Sequence, residues 1–228
     1  MSEPQQPFSW RKLQPHEAAL AHRVHLEAIA DQAVGLVRPD QPDHFTAHTG
    51  QAGAIVGCFG QAGKMVAYGV LGTASATSAH MAALLGIAPA DKARFAILDG
   101  VACLPEYRGY GLHRGSIQAR LDQASELGRS LIGATVSPDN IVSLRGLLEA
   151  QFAVRNFAML YGGLARLILL RDTRIVDPAW SLEKKIGAGN RAAHQAALAM
   201  GLSAYACSQT ASGAWQLHYG YPAAAQLK

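Results

Sequence analysis

The residues best equipped for chemistry lie between Arg108 and Arg114, in the stretch RGYGLHR. Two glycines stand there among three basic side chains, where an apolar run ends and helical spacing begins. Gly109 and Gly111 can take positive φ, or let a ligand approach where a side chain would collide. The first turn of the following helix leaves backbone N–H groups without partners, and the helix dipole adds about half a positive charge. Arg108, His113 and Arg114 crowd the same end, which costs a few tenths of a kcal/mol or more (~0.3–1) unless an anion is present. The chemistry such a turn supports is the holding of a phosphate group.

Two familiar phosphate-binding schemes fail on spacing. GCFGQAGKM needs a glycine where Cys58 stands, and Met65 replaces the magnesium-binding Ser or Thr of a P-loop. GYGLHRG lacks an acidic partner about 20 residues on, as a dinucleotide site requires; Asp139 comes nearer thirty. Nine histidines raise the question of a metal. His22 and His25 are three apart and His44 and His48 four apart, but no acidic or cysteine companion completes a set, so no metal is expected. Cys58, Cys103 and Cys207 are odd in number and scattered, which argues against a disulfide framework or structural zinc.

The elements that must position the turn follow from periodicity. Phe8 to Gln14 reads as a first strand, and Pro15 opens a helix that Pro39 and Pro42 end. AIVGCF and MVAYGVLG flank GQAGK as a hairpin. Phe95 to Leu104 forms a strand leading into the turn, and a helix runs from Tyr110 to Leu127, with Gly128 to stop it. Ser130 to Val136 is a strand, and SPDN opens a second helix. Strand, helix, strand, helix makes a crossover, so those two strands run parallel. VRNFAMLY and LARLILLR flank Gly162-Gly163 as a closing hairpin. Beyond Arg171 come a connector, an alanine-rich helix from Asn190 to Met200, and two short β runs.

Composition sets bounds. Of 228 residues half are hydrophobic, enough for a substantial core, and 16% charged residues with a net charge of +4 fall below the density of a dedicated nucleic-acid binder. MSEPQQPFSW has neither the basic nor the apolar region of an export signal, and Arg166 interrupts the most apolar later stretch. The expectation is a cytoplasmic protein with no membrane and no nucleic-acid partner.

VACLPEYRGYGLHRGSIQARL resembles the acyl-CoA-binding segment of the GNAT superfamily of N-acyltransferases: Arg or Gln, two residues, Gly, one residue, then Gly or Ala. Here Arg108 and Gly111 match and His113 takes the final small position; in the register two residues earlier, Gly109 and Gly111 match and Glu106 departs. VSPDNIVSLRGLLEAQFAV is similar to the next segment, through Asn140, Ser143 and Gln151-Phe152. The resemblance covers residues 8–172 and implies an α/β fold with a largely antiparallel mixed sheet and one central parallel crossover. Residues 173–228 are then an extension packed on that core.

The resemblance implies that backbone groups of Val101, Ala102 and Cys103 bind the pantetheine arm, and that the turn from Arg108 through Gly109, Tyr110, Gly111, Leu112 and His113 to Arg114 grips the diphosphate. It implies that Asn140 reaches the pantetheine, with Ser143 near the cofactor. The activity implied is transfer of an acetyl group from acetyl-CoA, the co-substrate, to a primary amine of a small molecule or peptide, attacking directly in a ternary complex. Asp99 is the candidate general base. The tyrosine that many relatives use to protonate the leaving thiolate is replaced by Leu147. Asp31, Asp40 and Asp43, within an expected specificity loop from Ala30 to Phe45, would attract the amine. The alternative is a non-catalytic CoA-binding sensor on the same fold, and a homodimer is left open.

Overall fold

The computed structural model describes residues 8–31, 39–61 and 63–223. Its strands β1 (Ser9–Lys12), β2 (Gly53–Phe59), β3 (Met65–Gly72), β4 (Phe95–Cys103), β5 (Leu131–Val136), β6 (Ala153–Leu160), β7 (Leu164–Asp172), β8 (Lys184–Gly187), β9 (Ser203–Gln209) and β10 (Trp215–Gly220) follow the hydrogen-bonded order β1-β2-β3-β4-β5-β7-β6-β9-β10-β8. Two compact units divide the chain, one drawn from 1–76 and 98–127, the other from 77–97 and 128–228.

The first unit begins with β1 (Ser9–Lys12), a 3-10 turn (Pro15–Glu17) and α1 (Ala18–Ile29). Pro15 sits in the first turn, where its missing N–H costs nothing, and Glu17 reaches back to the Gln14 N–H. Ala21, Val24, His25 and Ala28 give α1 one buried stripe. The hairpin of β2 (Gly53–Phe59) and β3 (Met65–Gly72) forms as its alternation required, with Gly57 opposite Tyr68. Gly53 is obligatory, because a Cβ there would run into the Leu71 backbone carbonyl. Leu13, Phe45, Ile55, Tyr68 and Leu104 build this core, each contributing about 1.5–3 kcal/mol by leaving water.

Pro42 does not end a helix here. It occupies the first turn of a new one, α2 (Pro42–His48), so the proline read as a stop acts as a start. That turns the C-terminal end of the expected specificity loop into helix; residues 32–38 of that loop lie outside the described residues.

β4 (Phe95–Cys103) gives its first three residues to the second unit and the rest to the first. It leads to α4 (Leu112–Glu126), which ends at Gly128 with φ of 66°. β5 (Leu131–Val136) neighbours β4 in the order and is joined to it through α4, the parallel crossover expected from the sequence.

In the second unit, α3 (Ala76–Leu84) and a 3-10 turn (Pro89–Arg94) precede β4; neither was anticipated. After α5 (Ile141–Glu149), β6 (Ala153–Leu160) and β7 (Leu164–Asp172) form the closing hairpin. Its turn uses three residues, Tyr161, Gly162 and Gly163, all with positive φ. Phe95, Ile97, Leu131, Leu160 and Ile168 pack as its core. Then follow β8 (Lys184–Gly187), α6 (Arg191–Ala199), β9 (Ser203–Gln209) and β10 (Trp215–Gly220). β9 lies beside β6 with Val154 opposite Ala204, and β10 pairs with both β9 and β8, so the C-terminal residues lengthen the sheet edge to edge. His194 of α6 is fully buried, its Nε2–H donating to the Ala188 carbonyl at 3.0 Å while Nδ1 accepts from the Tyr219 hydroxyl at 2.9 Å.

Candidate functional site

The turn opening α4 has the backbone its glycines allowed. Gly109 and Gly111 hold φ of 86° and 75°, and Gly111 is the N-cap of α4. A Cβ at either would meet no atom of the described residues within 4 Å, so among these the demand for glycine is conformational rather than steric. No side chain caps the helix. Its first i to i+4 bond runs from the Gly115 N–H to the Gly111 carbonyl at 3.1 Å, leaving the N–H groups before it without a helical acceptor.

The three basic residues there behave differently from one another. Arg108 is engaged by α1: its guanidinium makes a two-pronged bond to Asp31 at 2.6 and 2.9 Å and donates to the Ala28 carbonyl at 2.8 Å. Hydrogen bonding to Asp31 raises its already high pKa. Burial pushes His113 down to about 4, helped by the charge of Arg120, so this imidazole is neutral at pH 7. Arg114 is exposed. The triple cation expected from the sequence is thus one anchored arginine, one neutral histidine and one exposed arginine. Tyr110 is exposed and meets Phe8 edge to face, and Leu112 is buried.

Along β4, residues 99–103 are all half-buried, after a fully buried start. The Cys103 thiol donates to the Leu104 carbonyl and is pushed up to about 11, chiefly by burial, so it is no ready nucleophile at neutral pH. The charge of Asp99 acts on an interior cation that sequence reasoning missed. Arg120 of α4 is only 2% exposed; burial pulls it down to about 10, opposed first by the charge of Asp99. Its Nε donates to the Ser116 carbonyl at 3.1 Å. Gly69 of β3 makes the room, since a Cβ there would come within 2.7 Å of Arg120 Nε. Two signals existed: an arginine between Ile117, Leu121 and Ala124 on the apolar face of a helix, and a glycine inside a strand.

Beside Asp99 the interior stays polar. The Asp40 backbone N–H donates to His25 Nε2 at 2.9 Å, which fixes that nitrogen as a lone pair and the proton on Nδ1; Nδ1–H then donates to the Tyr68 hydroxyl oxygen at 2.7 Å. A Cβ on Gly100 would lie 3.4 Å from Asp40 Oδ2 and 3.7 Å from the Tyr68 hydroxyl, which places these groups against β4 next to Asp99. Ligating atoms of His44, His48 and Asp99 lie within 4.8 Å of one another. In the sequence no acidic residue completes a set with the two histidines, and folding brings Asp99 to them from a distant strand.

Asn140 and Ser143 belong to the second unit. Asn140 caps α5, its side-chain oxygen accepting from the Ser143 N–H at 3.1 Å, and this accounts for their spacing locally. Leu147, in the position of the missing tyrosine, is buried.

A glycine turn opening the helix between two parallel strands, within an otherwise antiparallel sheet, is a specific topology, and solved structures share it. The diaminobutyrate acetyltransferase EctA from Paenibacillus lautus, in complex with L-2,4-diaminobutyric acid and coenzyme A, superposes with a TM-score of 0.52 at 14% identity over 73% of this chain and 95% of that one. The chain has the GNAT fold. An N-acetyltransferase from Staphylococcus aureus matches at 0.55 and 15% identity, over 73% of this chain and 98% of that one. The ribosomal-protein-S18-alanine N-acetyltransferase from Escherichia coli matches at 0.53 and 17%, over 74% and 96%. No protein-family model and no curated protein matches the sequence. The GNAT fold was therefore legible here in the order of elements and one turn rather than in overall sequence likeness. No helix among the described residues is long and apolar enough to cross a membrane.

Proposed function

We propose that this protein transfers an acetyl group from acetyl-CoA to a primary amine of a small molecule or peptide, the amine attacking the thioester directly in a ternary complex. The observation that carries the reading is the Gly109–Gly111 turn, in left-handed conformation at the start of α4 on a GNAT fold. In this reading the N–H groups of that turn take the diphosphate, with Arg114 as the exposed cation, and backbone groups of Val101, Ala102 and Cys103 take the pantetheine. An unmet buried amide costs about 1–3 kcal/mol, so a ligand that pairs it gains specificity. The same amides would stabilise oxygen charge developing on the thioester carbonyl. Asn140 and Ser143 complete the cofactor contacts.

The acceptor must attack as a free base. Deprotonating a lysine-like amine at pH 7 costs about 4–5 kcal/mol, at 1.36 kcal/mol per pH unit. Asp99 is assigned that proton, with Asp40 and Asp43 supplying negative charge for the approach of the amine, since the charge of Asp31 is met by Arg108. With Leu147 buried where relatives carry a tyrosine, water protonates the departing thiolate. The relatives named above act on, or are complexed with, amines as different as diaminobutyrate and a protein alanine, so the acceptor class stays broad. The catalytic core is assigned to residues 8–172 and the extension to 173–228, a division supported by relatives that cover 72–74% of this chain and nearly all of their own. The protein is assigned to the cytoplasm.

Calorimetric titration tests the assignment. Acetyl-CoA should bind the wild type, and Gly111→Glu should abolish binding by placing a carboxylate in the diphosphate site; unchanged binding defeats it. One observation favours a second reading, a CoA-binding sensor: Leu147 replaces the acid, and Arg108 is held by Asp31. Thiol release with a broad amine panel separates the two, because a sensor binds without turnover.

A further inference from the structure

We infer that His44, His48 and Asp99 form a binding site for a first-row divalent cation of the Zn2+ class. The inference stands apart from acyl transfer and draws on three properties of this cluster.

The first is convergence. The two histidines are four apart on α2 and so share one face, and Asp99 meets them from β4; one ligating atom of each lies within 4.8 Å of the others. Donors about 2.0–2.1 Å from a tetrahedral zinc stand roughly 3.3–3.5 Å apart, so a modest side-chain rotation closes the set. The second is the state of His48, which is 3% exposed. Its Nδ1 lies 2.7 Å from the His44 carbonyl, which can only accept, so the proton sits on Nδ1 and the Nε2 of the neutral ring carries a lone pair. That Nε2 is buried and has no hydrogen-bond partner among the described residues. A ring held through Nδ1–H to a backbone carbonyl, with Nε2 presented to a shared point, is the usual support of a metal-bound histidine.

The third is donor chemistry and charge. Two imidazoles and a carboxylate suit Zn2+ and its neighbours, whereas Mg2+ and Ca2+ take oxygen. Asp40 Oδ2 stands 3.9 Å from His44 Nε2, so two carboxylates face the cluster with Arg120 as the cation nearby, a balance that accepts a dication. Three protein ligands leave a position open for an exchangeable ligand. Asp99 bound through one oxygen keeps the other for the proton-accepting role proposed for it.

The test uses the full chain, stripped with a chelator and dialysed. Calorimetry with Zn2+ should show one equivalent bound, and Co2+ should develop the ligand-field absorption of a four- or five-coordinate nitrogen and oxygen site. His48→Ala and Asp99→Asn should each weaken binding about 100-fold or more, beyond the effect of losing an outer partner, while His80→Ala, at an exposed position on α3, should leave it unchanged. X-ray absorption at the zinc edge of the wild type, which needs no variant to fold, should show two imidazoles. Absence of an equivalent, a bound ion without imidazole scattering, or affinity indifferent to both substitutions overturns the site. Acetyl-CoA titration of the stripped protein reports on the acyltransferase reading separately.

Discussion

Each unit buries a histidine against a tyrosine, and the two pairs are protonated in opposite senses. In the second unit His194 gives Nε2–H to the Ala188 carbonyl and accepts from Tyr219, so the tyrosine spends its proton on the histidine and the pair is closed. In the first, His25 accepts from the Asp40 N–H and donates to Tyr68, so here the tyrosine oxygen is the acceptor. The same two residue types make a structural peg in one place and a link in a polar chain in the other. What decides is the backbone group that meets the second ring nitrogen: a carbonyl makes the histidine accept from its tyrosine, an N–H makes it donate.

The largest break in this comparison comes from Asp99→Asn. Removing the carboxylate whose charge first opposes the lowering of Arg120 should cost up to about 3 kcal/mol, read as a lower urea midpoint at unchanged slope. A midpoint within error of wild type would mean that Arg120 is balanced by another group. Acid should come next. Burial lowers His194, and takes His113 down to about 4, so both are neutral when folded but charge more readily when unfolded. Stability is therefore fully present above about pH 6.5 and is lost as pH falls toward 4, on the order of 2 kcal/mol for His113. His113→Gln should flatten that slope, and a slope that survives unaltered would remove His113 from the account.

Tyr68→Phe and Tyr219→Phe sharpen the contrast itself. The first leaves the His25 Nδ1–H without its acceptor, whereas the second leaves only the His194 lone pair. Costs of about 2–3 and about 1–2 kcal/mol are expected in thermal or urea unfolding, within the range for orphaned buried groups. Equal losses would show the two pairs to be equivalent. Smallest is Gly111→Ala, where positive φ and open space predict about 1–2 kcal/mol from backbone strain alone, and Gly111→Asn should recover part of it.

Local order was readable in the sequence wherever a period or a turn residue governed it. The β2–β3 hairpin, the run of β4 into a glycine turn, and the crossover to β5 follow from alternation and from Gly109, Gly111 and Gly128. α2 was hidden because Pro39 and Pro42 look alike to a stop rule, and only the fold shows Pro42 at a first turn. β8, at Lys184–Gly187, is too short and too polar to stand out. In the site, the left-handed glycines were legible but the fate of the charges around them was not. Arg108 finds Asp31 across 77 residues, and His113 loses its proton to burial, which no spacing rule encodes. Likewise His44 and His48 announce a shared face, but Asp99 joins them through tertiary structure. Arg120 was visible as an anomaly, a cation in an apolar stripe, without its partner being nameable.

The strand order ends in β1 on one side and β8 on the other, each four residues long and carrying exposed lysine. Such margins offer few unsatisfied main-chain groups for a foreign ribbon to zip onto, and bringing two copies together there would set ammonium against ammonium. Concentrated stocks for soaking should therefore resist fibrillar growth.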